Sequence, residues 1–479
     1  MQLFFILIYF IPLLFIFTYS IIQFILIIHY LRSKNRVRIQ PELIEFPFVT
    51  VQLPVYNEKY VIERLLDAVI AFDYPADCFE IQVLDDSDDE TTQIIRQKID
   101  KLKSIGSSID LQLIRRPERA GFKAGALAYG LKFAKGEFIP IFDADFVPSP
   151  DFLKQTIPHF QDPKVGVVQT RWTHLNEDHS LLTKLQAFGL DAHFFIEQGG
   201  RNANKHYINF NGTAGVWRKA TIEDAGGWSA DTLTEDLDLS YRAQMKGWEF
   251  VYREDVGSPA ELPVAMNAIK SQQYRWMKGG AECFVKNASK LLKNDAVKPG
   301  DKFHGFFHLL NSSVFTAVLL LALLSIPVMF MTVNNSFLYD LFKWTAVFQI
   351  NWLILGVFYW ISFRYKGKSV IEFFWRFFWF LTFMMGLSLH NSIAVFEGWI
   401  GRKTPFVRTP KFGKDDWKSN VYVTKSIGAV TWGEFALCLT FLTMSILDII
   451  YLNYGMMLFH GMLTLGFGSV VYFTFKHLR

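Results

Sequence analysis

Cysteine is scarce in this chain: three in 479 residues, Cys78, Cys283 and Cys438. They are scattered, which excludes a disulfide framework and any cysteine-based metal spacing. Neither charge sign is in large excess, since the formal net charge is +4, so nothing global points to a nucleic-acid partner. Internal repeats and low-complexity linkers are missing too, and with them repeat architectures. The most informative lack is local. Charged residues almost vanish from long stretches near both ends of the chain.

Those stretches are what is there instead. Half the residues are hydrophobic and 48 are Phe, too apolar and aromatic for an ordinary soluble enzyme. Leu3 to Tyr30 exceeds the roughly 20 residues that cross a bilayer. A cleaved leader would show a basic start, a shorter core and a small-residue cleavage site, and this run shows none. Arg32, Lys34, Arg36 and Arg38 follow, which puts the next domain in the cytoplasm and the N-terminus outside. Leu309 to Val333, Leu341 to Phe363, Thr431 to Leu452 and Met456 to Phe475 are further spans. Val370 to Ile400 lies between two basic loops, so it cannot cross once; an interfacial helix or a short hairpin turning at His390-Asn391-Ser392 is expected. The division is then an N-terminal helix (1–31), a cytosolic domain (32–300) and a C-terminal membrane region (301–479). The last contains a cytosolic loop at 401–430 with seven basic residues: Arg402, Lys403, Arg408, Lys411, Lys414, Lys418 and Lys425.

The cytosolic part alternates strand and helix patterns. Phe48 to Pro54, Phe79 to Leu84, Asp110 to Arg115, Phe138 to Phe142 and Val165 to Trp172 read as strands. Asn57 is a candidate helix cap, and so is Thr234, with Glu235 and Asp236 in the first turn behind it. Such alternation predicts a mainly parallel α/β sheet, with the polar clusters at the strand ends along one edge. One of those clusters is Asp143-Ala144-Asp145, two carboxylates at the end of an apolar run. Side chains two apart on a strand share a face, and paired hard oxygens suit Mg²⁺ or Mn²⁺ carrying phosphate. An isolated Asp-x-Asp is more often a solvated turn, but this one has company. Gln272-x-x-Arg275-Trp276 opens onto an amphipathic stretch to Leu292 that suits a membrane surface.

Asp85-Asp86-Ser87, Asp143-Ala144-Asp145, Thr234-Glu235-Asp236 and Gln272-x-x-Arg275-Trp276, in that order between membrane segments, resemble the processive family 2 glycosyltransferases. The likeness is to cellulose synthases and above all to the cellulose synthase-like mannan and glucan synthases. Pro54-Val55-Tyr56-Asn57-Glu58 and Arg119 to Ala126 are similar to that subgroup as well. The resemblance implies a GT-A domain, Rossmann-like, inserted between membrane helices, and an inverting transfer of hexose from UDP-glucose or GDP-mannose. It implies that Asp143 and Asp145 hold the metal, that Asp85 or Asp86 contacts the nucleoside, and that Tyr56 and Glu58 help hold the base. Arg119 and Lys123 then lie near base or phosphates, with Gln272 beside them. Asp236 is the general base, with Glu235 next to it, Arg275 meets the diphosphate and Trp276 stacks under the acceptor sugar; Thr213 and Trp172 are further acceptor candidates. Phe406 to Lys411 is only approximately similar to the family's gating loop, and no C-terminal cyclic-dinucleotide-binding domain is expected.

Two rival readings differ in class. A non-processive transferase acting on ceramide or polyprenyl phosphate shares the fold and most motifs, whereas several spans and the Phe406 to Lys411 loop favour a polymer. A transporter with a degenerate nucleotide-binding domain would have lost a catalytic carboxylate, and none is missing. The expected setting is a membrane, with lipids as neighbours and no nucleic acid: the bacterial inner membrane by the lack of a eukaryotic-looking tail, the Golgi otherwise.

Overall fold

The computed structural model describes residues 2–34, 41–333, 335–404, 411 and 427–478. Seven strands make one sheet: β1 (Val49–Val55), β2 (Phe79–Asp85), β3 (Asp110–Ile114), β4 (Phe138–Ile141), β5 (Val165–His174), β6 (Gly215–Arg218) and β7 (Glu249–Ala260). Their order is β3-β2-β1-β4-β6-β5-β7. The first four are parallel, as strand-helix alternation predicts. β6 runs antiparallel to both β4 and β5, and β5 pairs with β7 in parallel. β6 and β7 had no clear strand signature: the first is four residues long and the second carries charges along much of its length.

Alternation along β1 shows how the sheet is held. Val49, Val51, Leu53 and Val55 turn to one face and pack on Leu65, Leu66 and Val69 of the helix Ile62–Ile70. Each such side chain contributes about 1.5–3 kcal/mol on burial. Thr50 turns to the other face, where its hydroxyl donates to Glu80 at 2.8 Å and accepts from the Gly136 amide at 2.8 Å. That pairing fixes the loop leading into β4. On the same face Ile139, Ile141 and Trp217 meet Leu127 and Leu239, from the helices Phe122–Leu131 and Glu235–Met245.

Asn57 does not cap a helix. The helix starts at Ile62, and Asn57 instead adopts φ +57° while its side chain accepts from the Asp88 amide at 3.0 Å, joining the β1 and β2 loops. Thr234 does hold the N-cap position, but its hydroxyl lies 3.4 Å from Cys283 Sγ and makes no capping bond. The Gln272-x-x-Arg275-Trp276 motif does not precede a helix; it lies inside one, Met266–Lys293.

Among the described residues five helices are long and apolar enough to cross a membrane: Leu7–Ser33, Ser313–Val333, Asp340–Lys366, Ala429–Ile450 and Tyr454–Lys476. Val370–Gly386 and Ser388–Trp399 meet at 51°. The bend therefore falls at Leu387, and His390-Asn391-Ser392 sits within the second helix rather than at a turn. The reason is a partner: His390 Nε2 donates to the Lys270 carbonyl at 2.9 Å, and Asn391 and Ser392 are buried. Of Phe406 to Lys411, only Lys411 lies within the described residues.

Candidate active site

The carboxyl ends of the strands, the turn after β4, the start of the helix Glu235–Met245 and the middle of the helix Met266–Lys293 surround a cavity of about 200 Å³. On its β1 and β2 side, the Arg119 guanidinium lies 3.3 Å from the Tyr56 ring centroid, a cation–π stack. Glu58 and Asp86 line the same side. Arg116, a residue sequence reasoning passed over, clamps Asp86 through Nε at 2.8 Å and Nη2 at 2.6 Å. Asp85 does not line the cavity. Its carboxylate is buried and accepts from the Ser87 amide at 2.9 Å and the Thr92 hydroxyl at 2.6 Å, so it shapes the loop that presents Asp86.

At the centre, β4 ends at Ile141, and Asp143 and Asp145 occupy the turn beyond it. Strand alternation therefore does not aim them; the turn does, and both still line one cavity. Each is met by a lysine. Lys123 Nζ donates to Asp143 Oδ1 at 2.5 Å and to the Gly212 carbonyl at 2.9 Å, while Lys411 Nζ reaches Asp145 Oδ2 at 2.5 Å. Thr213 is fully buried and away from the lining; its hydroxyl accepts from the Asp143 amide at 2.9 Å, which makes it a support for the turn rather than a sugar contact.

Glu235 and Asp236 enter from above. Burial pushes the Asp236 carboxyl up to about 7, with the Glu235 charge adding to the rise and Lys123 opposing it. Burial raises Glu235 as well. Gly212, at φ +79°, lies where a Cβ would come within 3.0 Å of Asp236 Oδ2, so glycine leaves the carboxylate its space. Arg275 faces four carboxylates, Asp143, Glu235, Asp145 and Asp236; burial pulls its pKa down against their attraction. Gln272 and Trp276 line the cavity beside it. Trp172 and His174 close the β5 side. No local pattern marks His174 or Arg116 in the sequence, because both reach the site only through sheet register and loop closure.

The donor set fits a divalent cation. Among the described residues no third carboxylate, histidine or cysteine joins the Asp143–Asp145 pair into a closed metal cage. Two hard carboxylates suit Mg²⁺ or Mn²⁺, which take one or two protein ligands and complete their shell with phosphate oxygens and water.

Comparison with known proteins agrees with this geometry. Residues 47–279 match the family described as glycosyltransferase like family 2. A probable glucomannan 4-beta-mannosyltransferase 4 of Oryza sativa subsp. japonica is 42% identical over 267 residues, 55% of this chain and 48% of that protein. Glucomannan 4-beta-mannosyltransferase 2 of Arabidopsis thaliana is 42% identical over 258 residues, 53% of this chain and 48% of that one. The chain thus spans about half the length of these curated relatives. Mannosyltransferase PcManGT from Pyrobaculum calidifontis, solved in complex with GDP-Man and Mn²⁺, shares the fold: TM-score 0.55 at 19% identity, over 81% of this chain and 100% of that one. The domain match and the identity to glucomannan 4-beta-mannosyltransferases, together with the Asp-x-Asp turn and the Arg275-Trp276 helix, show a family 2 glycosyltransferase domain over residues 47–279, similar to that of the cellulose synthase-like enzymes.

Proposed function

We propose that the protein transfers mannose from GDP-mannose, with inversion, to the end of a growing β-linked polysaccharide that leaves through its own membrane helices. The observation that carries this reading is the meeting, in one cavity, of the Asp143 and Asp145 carboxylates, the cations Lys123 and Arg275, and the buried Asp236 carboxyl with its raised pKa. Mannose is favoured over glucose because the relatives above are named mannosyltransferases.

The residues divide the work. Asp86, Tyr56, Glu58 and Arg119 form the nucleoside end. Asp143 and Asp145 hold the divalent cation, which when bound neutralises charge on the departing diphosphate. Lys123 and Arg275 add fixed positive charge beside the same phosphates, preorganised by their carboxylate partners. Asp236 takes the proton from the attacking hydroxyl; its raised pKa matches a base working near neutrality. A single displacement assisted by that base converts an α-linked donor into a β-linkage. Trp276 offers its ring face to the acceptor sugar. Lys411 reaches Asp145 and adds a further positive charge beside the same phosphates. The plant origin of the relatives favours an endomembrane such as the Golgi over a bacterial inner membrane.

Supplying the purified protein with labelled GDP-mannose or UDP-glucose, with Mn²⁺ and an oligosaccharide primer, tests the donor choice. Label from GDP-mannose should enter the primer faster; exclusive use of UDP-glucose contradicts the proposal.

A further inference from the structure

One end of the cavity has no role in the steps above. Sheet order places the β1 and β2 loops on one side of the Asp143–Asp145 turn and the ends of β5 and β7 on the other. With phosphates at the turn and the nucleoside at β1 and β2, the β5 end faces sugar. There the His174 side chain, 4% exposed, lines the cavity. Its Nε2 lies 3.2 Å from Asp191 Oδ1, and its Nδ1 has no hydrogen-bond partner among the described residues. A buried side chain at a cavity wall with a ring nitrogen left unpaired marks where a ligand supplies the missing bond.

Asp191 is held in place from the membrane side. Lys366, the last residue of the span Asp340–Lys366, forms a salt bridge with Asp191 and contacts Glu177 at 2.6 Å. Arg376, almost wholly buried, reaches Glu177 at 2.7 Å. Burial pushes the Asp191 carboxyl up, but His174 and Lys366 outweigh it and keep it below its ordinary value. Asp191 Oδ1 accepts from the Nε2 N–H, and the tautomer with its proton there offers the Nδ1 lone pair as an acceptor.

We propose that His174 is a hexose-binding residue whose Nδ1 accepts a hydrogen bond from a sugar hydroxyl, with Asp191 as the positioning residue that sets its tautomer. The inference rests on the transferase reading. The hydroxyl belongs either to the transferred hexose or to the terminal ring of the acceptor chain.

The test uses the full-length protein in vesicles with GDP-mannose, Mn²⁺ and a β-linked manno-oligosaccharide, measuring transfer to water and to oligosaccharide separately. His174→Phe should raise KM for the contacted sugar about five- to tenfold with kcat changed less. His174→Asn, which places an amide oxygen near Nδ1, should recover most of the loss. Asp191→Asn should match His174→Phe, because its amide donates to Nε2 and moves the ring proton to Nδ1. A KM rise for oligosaccharide alone assigns the acceptor ring; a rise for GDP-mannose in both reactions assigns the transferred hexose. Unchanged KM values in His174→Phe overturn the inference, as does a loss that His174→Asn fails to recover. Wild-type protein that transfers to no sugar at all refutes the transferase reading, a different failure.

Discussion

At the scale of single residues, the proposed chemistry rests on Asp236. A base works only when deprotonated, so a carboxyl at about 7 is idle below that pH and active above it. Under chemistry-limited conditions the transfer rate should climb as pH passes from 6 to 8; a flat profile across that window contradicts the assignment. Asp236→Asn should lower the rate 10²–10⁴-fold and leave GDP-mannose binding near normal. A variant retaining a third of the activity would sink the base role. The metal pair gives a second test at this scale. Asp145→Ala should weaken the Mn²⁺-dependent part of donor binding, and excess chelator should abolish transfer. Full activity in chelator refutes it.

At the scale of elements, the ion network that steadies Asp191 also ties the catalytic domain to the membrane helices. Burial pushes the Glu177 carboxyl up, yet Lys366 and Arg376 prevail and hold it at about 2. A depressed carboxyl stabilises the fold above its ordinary pKa near 4.5 and loses that contribution as pH falls toward 2. Glu177→Gln should therefore lower Tm at pH 7, and the gap to wild type should narrow as pH falls from about 4.5 toward 2. Equal melting at pH 7 would show that the network carries no stability.

What the sequence made legible at this scale follows from range. Asp143-Ala144-Asp145, Glu235-Asp236 and Arg275-Trp276 are contiguous, and each was readable because its chemistry sits within three residues. The four parallel strands were readable for the same reason, as short apolar runs between turn residues. Asn57 misled because left-handed backbone and a capping side chain look alike in sequence. His174 and Arg116 were invisible: the first depends on where β5 ends against β7, the second on a loop folding back onto Asp86. The bend at Leu387 was missed because the polar trio after it answers to a helix more than a hundred residues earlier.

At the scale of the whole molecule, the described residues after the bent pair touch the catalytic domain. Lys278, with its side chain fully buried, donates to the Arg402 carbonyl and the Thr404 hydroxyl at 2.5 Å each, and Lys411 reaches Asp145. A cysteine at Ser419, which lies outside the described residues, should be labelled by an impermeant reagent only after the membrane is opened. Labelling from the far face of sealed vesicles would overturn the topology.

The claim that joins these scales is that one active site builds a β-linked chain and feeds it to the membrane. It is tested most directly in vesicles whose catalytic domains face outward, given labelled GDP-mannose and Mn²⁺. Size and linkage of the product are read after a surface β-mannanase digest. The expected result is a β-linked mannose polymer protected inside the vesicles, and none with Asp236→Asn. A singly mannosylated lipid, or a polymer wholly digested at the outer surface, would contradict it.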